Sequence, residues 1–447
     1  MLSFSNGSGA QFRGFRTGLL GTTALAASLA TFTPDASAQN WNSGAGDLAW
    51  GTNDNWNTSV PNSDSAVATL FNAPNTITLT GGADVAGPIY TLNRLNFSND
   101  FTLTGGTLVF DGANAGIDFR PALSGAAAAE NTTSSLTLQL DSDLAFTGVS
   151  SVIAGNITTT NGSDLTISST LTVISGDISD GGAGNELSLT LNGSGNATLS
   201  GTNTYLGPTT QAGTGTLTLD GGSAISDAAA LIATSGIVAL GADETVGSLA
   251  GTGGLGGTVN VGAFTLTAGA DNSDTTFDGV IAGTGGFTSE GSGTLTLSGT
   301  NTLSGTYTLK DGGLTLNGGS AIADAATLSV DGGTVTLGAN ETVGGLVATG
   351  GTVDVGTFLL TAGANNSSTT FAGEIAGTGE FTTEGSGTLT LSGTNTLSGT
   401  YTLKDGGLAL AGGEAISDDA MLNINGGTLT LLANETVGSL ALSLIHI

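Results

Sequence analysis

The chain has 447 residues, of which 76 are glycine and only 9% are charged, a composition unlike that of an ordinary enzyme. Hydrophobic residues make up 38%, enough to bury against one another, so the chain reads as folded and not disordered. Thirty-six acids against six bases (Arg13, Arg16, Arg94, Arg120, Lys310 and Lys404) give a formal charge of −30, which excludes a nucleic-acid partner, and the absence of cysteine excludes disulfides and thiolate metal sites.

Residues 1–38 read as a signal peptide. Arg13 and Arg16 supply the positive region, Gly18 to Phe32 form an apolar stretch, and Ala36-Ser37-Ala38 is a small-residue cleavage site before Gln39. The apolar stretch is 15 residues long, shorter than the roughly 20 that a membrane-spanning helix needs. Residues 39–139 are expected to hold a cap and the first coils. Trp41, Trp50 and Trp56 are assigned to covering the open first coil, in preference to stacking on sugars.

Residues 140–441 are repetitive. The segment GSGTLTLSGTNTLSGTYTLKDGG at Gly291 to Gly313 returns unchanged at Gly385 to Gly407, an offset of 94 residues. The same offset links Glu341-Thr342-Val343-Gly344 with Glu435-Thr436-Val437-Gly438, and a drifted copy upstream carries Glu244-Thr245-Val246-Gly247. Within a unit, Leu295, Leu316, Leu337 and Phe358 are each 21 residues apart in alternating segments such as TLTL, so one coil is expected to take about 20–25 residues. The segments are short and bounded by Asp-Gly-Gly or Ser-Gly-Thr, where glycine permits sharp corners.

The expected fold is therefore all-β: a parallel β-helix, or β-solenoid, of short strands with Gly-rich corners. Leu, Val and Phe face inward, and Thr, Ser and Asn face outward or form hydrogen-bonded ladders. From residue 140 onward this gives roughly 13 coils and about 60 Å of length. A β-propeller fits poorly, because its blades are about 40–45 residues long. Residues 442–447 break the repeat and are read as a truncated tail.

The segments Gly291 to Leu314, Gly385 to Leu408 and GSGNATLSGTNTYLGPTT at Gly193 to Thr210 resemble the repeat of autotransporter passengers with autotransporter-associated β-strand repeats. The Trp-containing region with Asn55-Trp56, Pro61 and Asp64 is similar to the amino-terminal part of such passengers. The resemblance implies a right-handed helix, export to the outer membrane, cell surface or extracellular space, and an outer-membrane translocator barrel, which does not occur in these residues. It also implies an adhesive or structural role, with saccharides or proteins met through the repeat faces.

No catalytic, cofactor or metal site is expected. The one histidine, His446, lies in the aberrant tail, so a serine triad has no base. The alternative is a polysaccharide-processing β-helix enzyme using paired carboxylates. Its best candidates are Asp271, Asp274 and Asp278, replaced in the next unit by Asn365, Ser368 and Ala372; an exposed drifted loop is the preferred reading. Asp177, Asp180 and Gly181 to Glu186 resemble a lone calcium-type nonapeptide, but a calcium roll repeats that motif in tandem. Asp227, Asp324 and Asp418, together with Glu244, Glu341 and Glu435, recur in every unit and are read as corner or solubility residues. The dipeptides Lys310-Asp311 and Lys404-Asp405 are read as solvated corners.

Overall fold

The computed structural model describes residues 39–40, 62, 67–70, 76–78, 89–97, 102–104, 106–119, 131–134, 136–148, 151–182, 184–253 and 256–443. The expected signal peptide, the three tryptophans and residues 444–447 lie outside them. The chain divides into two units, Met1–Asp35 and Ala36–Ile447, and all that follows concerns the second.

Alternation of Thr with Leu or Val makes strands of two to five residues among the described residues, and each stacks in parallel on the strand one coil earlier. The result is a parallel β-solenoid of about 15 turns, without helix among the described residues. One coil shows the plan. Gly286–Ser289 lies on what we call face 1, Thr294–Leu297 on face 2 and the extended segment 301–303 on face 3, before Thr306–Leu309 returns to face 1.

Each face continues from the upstream coils. Face 1 begins with strands such as Thr107–Phe110 and Thr137–Leu140. Face 2 passes from Ser248–Ala250 to Thr275–Phe277 through the bridge Gly251 to Phe277. Face 3 passes from Val280–Gly283 to segment 301–303 through hydrogen bonds from the Thr302 and Leu303 N–H groups to the Ile281 carbonyl.

Inward residues meet in columns that run from coil to coil. Leu295, Leu314, Val335 and Val353 form one column, and Leu297, Leu316 and Leu337 form the next. Of the 21-residue steps read from the sequence, Leu316 to Leu337 stays within one column and Leu295 to Leu316 does not: Leu316 stacks on Leu297 and not on Leu295. Phe358 lies at the corner that precedes Leu359–Ala362 on face 3. The reason is variable coil length. Corner bonds between successive coils join residues from 18 to 31 positions apart, because each corner holds a different number of residues.

Corners bring backbones together more closely than a side chain allows. A Cβ on Gly305 would lie 1.6 Å from the Gly285 carbonyl oxygen of the coil before. The largest inward side chains fill the remaining width. Tyr307 packs against Phe287 with ring centroids 6.1 Å apart, and Tyr401 against Phe381 at 5.8 Å. The hydroxyls of Tyr307 and Tyr401 are buried without a hydrogen-bond partner among the described residues, and burial pushes both phenols above their ordinary range.

The 94-residue unit is not a whole number of coils. From Thr294–Leu297 the chain returns to face 2 at Gly313–Leu316, Thr334–Leu337, Thr352–Asp354 and Glu374–Ala376. It then crosses face 3 at Glu380–Thr383, and the identical copy Thr388–Leu391 falls on face 1. Likewise Thr306–Leu309 lies on face 1 and its copy Thr400–Leu403 on face 3.

Two substitutions check the packing. Leu316 is fully buried while the adjacent Thr315 points outward, so Leu316→Asp places an unpaired charge inside the stack and unfolds neighbouring coils, whereas Thr315→Asp shifts the thermal midpoint little. Equal losses from both, measured by circular dichroism, contradict the inside and outside assignment. Tyr307→Phe removes a buried hydroxyl that bonds to nothing, and its unfolding midpoint in denaturant is expected to stay level or rise, by up to about 1 kcal/mol of stability.

Candidate functional site

The residues with most chemical potential are the buried polar ones, and the structure overturns the reading of three of them. Glu244 and Glu341 are 2% exposed, and Glu435 is half-buried in the last described coil. None of the three is a corner residue. In Glu-Thr-Val the glutamate shares the parity of the inward valine, so the pleat turns it toward the core.

Each glutamate completes a polar bridge across an interrupted ladder. On face 3 the segments around 301 and 321 form no regular strand, and side chains supply the missing bonds. Asn301 accepts the Ile281 N–H through Oδ1 at 2.6 Å and donates through Nδ2 to the Ala321 carbonyl at 2.7 Å. One coil further, Glu341 accepts the Ala321 N–H at 3.2 Å and the Ile322 N–H at 2.9 Å, one on each carboxylate oxygen. The amide thus takes the place of a backbone peptide between two coils, and the carboxylate closes the next step.

The same bridge occurs with Asn203 and Glu244 on face 1, where Asn203 joins Ile178 to Ala224 and Glu244 accepts the Ala224 and Ile225 N–H groups. It occurs again with Asn395 and Glu435 on face 2. Each face is therefore interrupted and bridged in this way once among the described residues. Sequence reasoning had grouped asparagine with the outward or ladder-forming Thr and Ser and singled out none of these three. Their signal was present in Asn-Thr-Tyr and Asn-Thr-Leu, where Asn203, Asn301 and Asn395 share parity with the buried Tyr205, Leu303 and Leu397.

Burial raises the Glu244 carboxyl to about 6 and Glu341 to about 7 from the ordinary 4.5, against the opposing pull of the two backbone N–H groups on each.

Four acids of the candidate motifs, Asp177, Asp180, Asp271 and Asp274, serve the corners. Asp271 Oδ1 accepts the Ser273 N–H and Asp274 Oδ1 accepts the Thr294 N–H of the next coil, both at 2.8 Å. Asp278 is partly exposed at the end of its strand. Asp177 accepts the Thr202 N–H, and Asp180 accepts Leu187 and Leu206 through its two oxygens at 2.6 and 2.7 Å. Those carboxylates face backbone donors, and Glu186 points to solvent. Among the described residues no three His, Cys, Asp or Glu side chains gather at metal-binding distance. Asp227, Asp324 and Asp418 are exposed. Lys310 and Lys404 each reach back one coil, to Glu290 at 3.2 Å and Glu384 at 3.0 Å, rather than to the aspartates beside them.

An open groove of about 650 Å³ lies outside face 2, where Arg94, Gly116, Ala145 and Thr166 occupy successive outward positions. Gly116 and Ala145 leave the hollow, Arg94 stands at one end, and Ser142 and Asp143 line the corner. Asp143 Oδ1 is bonded to the Asp164 N–H, and Ser142 Oγ donates to Asp111. Among the described residues the groove offers hydrogen-bonding groups and one cation, without a paired acid and base.

Comparison with protein-family models, with curated proteins and with solved structures finds no match to this chain.

The raised carboxyls make stability depend on pH. Folding binds protons to Glu244 and Glu341, so their contribution is fully present below 4.5 and is lost as the pH rises through about 6 and about 7. The melting temperature is expected to fall across that window, each pH unit of displacement being worth on the order of 1.4 kcal/mol. Glu341→Gln keeps one acceptor but cannot titrate, and flattens the upper part of the profile. An unchanged slope in that variant contradicts the assignment.

Proposed function

We propose that this chain is the passenger of an autotransporter-like protein, exported across the inner membrane to the outer membrane, cell surface or medium. There it acts as a right-handed β-helical rod with a structural and adhesive role and no catalysis. The observation that carries this reading is where the polar side chains are engaged. The buried amides and carboxylates hold coil to coil, most of the exposed acids of the candidate motifs accept backbone N–H groups at corners, and the outward faces repeat neutral Thr and Ser. A surface built in this way supports extended contact with saccharides or proteins better than turnover of a small substrate. The resemblance of Gly291 to Leu314 and Gly385 to Leu408 to autotransporter-associated repeats adds the export route and names a translocator barrel as the expected partner.

The alternative, polysaccharide cleavage by paired carboxylates, needs two acids directed into one groove. The engagement of Asp271 and Asp274 with backbone donors speaks against it.

Export is tested by expressing the full chain in a Gram-negative host and determining its amino terminus by mass spectrometry. A product beginning at Gln39 in the envelope or medium is expected; a cytoplasmic product retaining residues 1–38 overturns the export reading. Cells displaying the chain should also adhere to saccharide- or protein-coated surfaces above the level of cells without it, and equal adhesion removes the adhesive role.

A further inference from the structure

Outside the polar bridges, the surface feature most fully determined by the fold is the outward side of face 1. Thr245, Thr267, Thr288, Thr308 and Ser329 stand directly above one another on five successive coils. A second row two residues earlier holds Thr265, Thr306 and Thr327, with Gly286 in the intervening place. Parallel strands lie about 4.8 Å apart and residues of one face recur about every 6.6 Å along a strand, so the two rows form a flat rectangular array. Rows of oxygen atoms in the ice lattice recur at intervals of comparable size.

Three further observations make this array more than a Thr-rich surface. The hydroxyls of Thr245, Thr267, Thr288 and Thr308 make no hydrogen bond to protein among the described residues, and all four residues are partly exposed. The rows are held from beneath by the buried column Leu266, Phe287, Tyr307 and Leu328, which leaves the backbone of each strand little freedom. In a chain of net charge −30, the strands Thr265–Ala268, Gly286–Ser289, Thr306–Leu309 and Thr327–Val330 carry no charged residue. A charged ligand would find no counter-charge on these strands. The nearest charges stand just past the strand ends, at Glu290, Lys310 and Asp331, with Lys310 and Glu290 paired to each other. A neutral hydrogen-bonding lattice seated on the threonine rows need therefore desolvate no ion within them.

We propose that face 1 between Thr245 and Ser329 binds ordered water at the surface of ice. The hydroxyls take lattice positions, and the threonine methyls fill the spaces between them. Each contact contributes little by itself, as hydrogen bonds exchanged with water do, and a rigid array makes many at once. The proposal does not depend on export, so its failure and that of the passenger reading are separately visible.

The test uses the purified full chain in two assays: uptake into a slowly growing ice hemisphere and inhibition of ice recrystallisation. The wild-type chain is expected to concentrate in the ice and to slow crystal growth. The double variant Thr288→Lys/Thr308→Lys should lose several-fold in potency, because two bulky cations stand in the array. Faces 2 and 3 also carry columns of four threonines, Thr276 to Thr336 and Thr342 to Thr402, which lack the fifth hydroxyl of Ser329 and leave residual activity. The control Val173→Lys/Ala239→Lys alters outward positions of upstream face 3, where no continuous threonine row exists, and should keep full potency. Circular dichroism melts establish that both variants are folded. Exclusion of the wild-type chain from ice overturns the proposal, as do equal losses in the two folded variants. Binding to crystalline cellulose or chitin without uptake into ice also overturns it and reassigns the array to a polysaccharide surface.

Discussion

Every strand of this protein depends on hydrogen bonds to another coil, because a strand of two to five residues has no stability of its own. Each N–H and C=O that points along the axis must meet a partner on the coil before or after, since the core offers no water to replace it. That requirement explains the close approach at glycine corners, where backbone lies against backbone. It also explains why most of the exposed acids at the candidate motifs are occupied. A carboxylate placed at the end of one strand collects the first N–H of the next, as Asp274 does for Thr294.

The same requirement governs the three interruptions. Where the chain runs through Gly-Thr-Asn-Thr and Gly-Gly-Ser-Ala-Ile, strand geometry lapses for two coils and the ladder would lose its partners. An asparagine amide has one acceptor and two donors in the planar arrangement of a peptide, so it substitutes for the missing strand between Ile281 and Ala321. A glutamate then accepts two adjacent N–H groups, at the cost of a buried charge that raises its proton affinity. The interruption and the repair belong together: neither the irregular coil nor the buried carboxylate is tolerable without the other.

Much of this architecture was legible in the sequence. Alternation in Thr-Leu-Thr-Leu gives the inward and outward sides by parity alone, and Leu314 and Leu316 sit inside with Thr315 outside as that rule demands. Coil length was legible only on average. Which residues stack depends on how many residues each corner absorbs, and corner length leaves no periodic trace, so Leu316 falls beneath Leu297 instead of Leu295. The buried glutamates were misread for a different reason. A charged residue recurring in every unit of a highly acidic chain looks like a solvated corner, and that expectation outweighed the parity of Glu341 with Val343, which pointed inward. The groove at Arg94 left less trace still, because its hollow arises from Gly116 and Ala145 on two later coils that only the register brings beneath the arginine.

The identical copies show how far the three faces are interchangeable. A unit that spans four coils and two further faces sets each of its strands on a different face from its predecessor, yet Thr306–Leu309 and Thr400–Leu403 make the same pairings with their neighbours. This works because the environment of a strand is set by the strands above and below it, and those belong to the same unit. Asn301, Ala321 and Glu341 all lie within one unit, so a copy carries its irregular coils and their repair together and needs nothing from the face that receives it. Duplication by a fractional number of coils therefore distributes equivalent surface elements around the axis, whereas a whole number would have aligned them on one side.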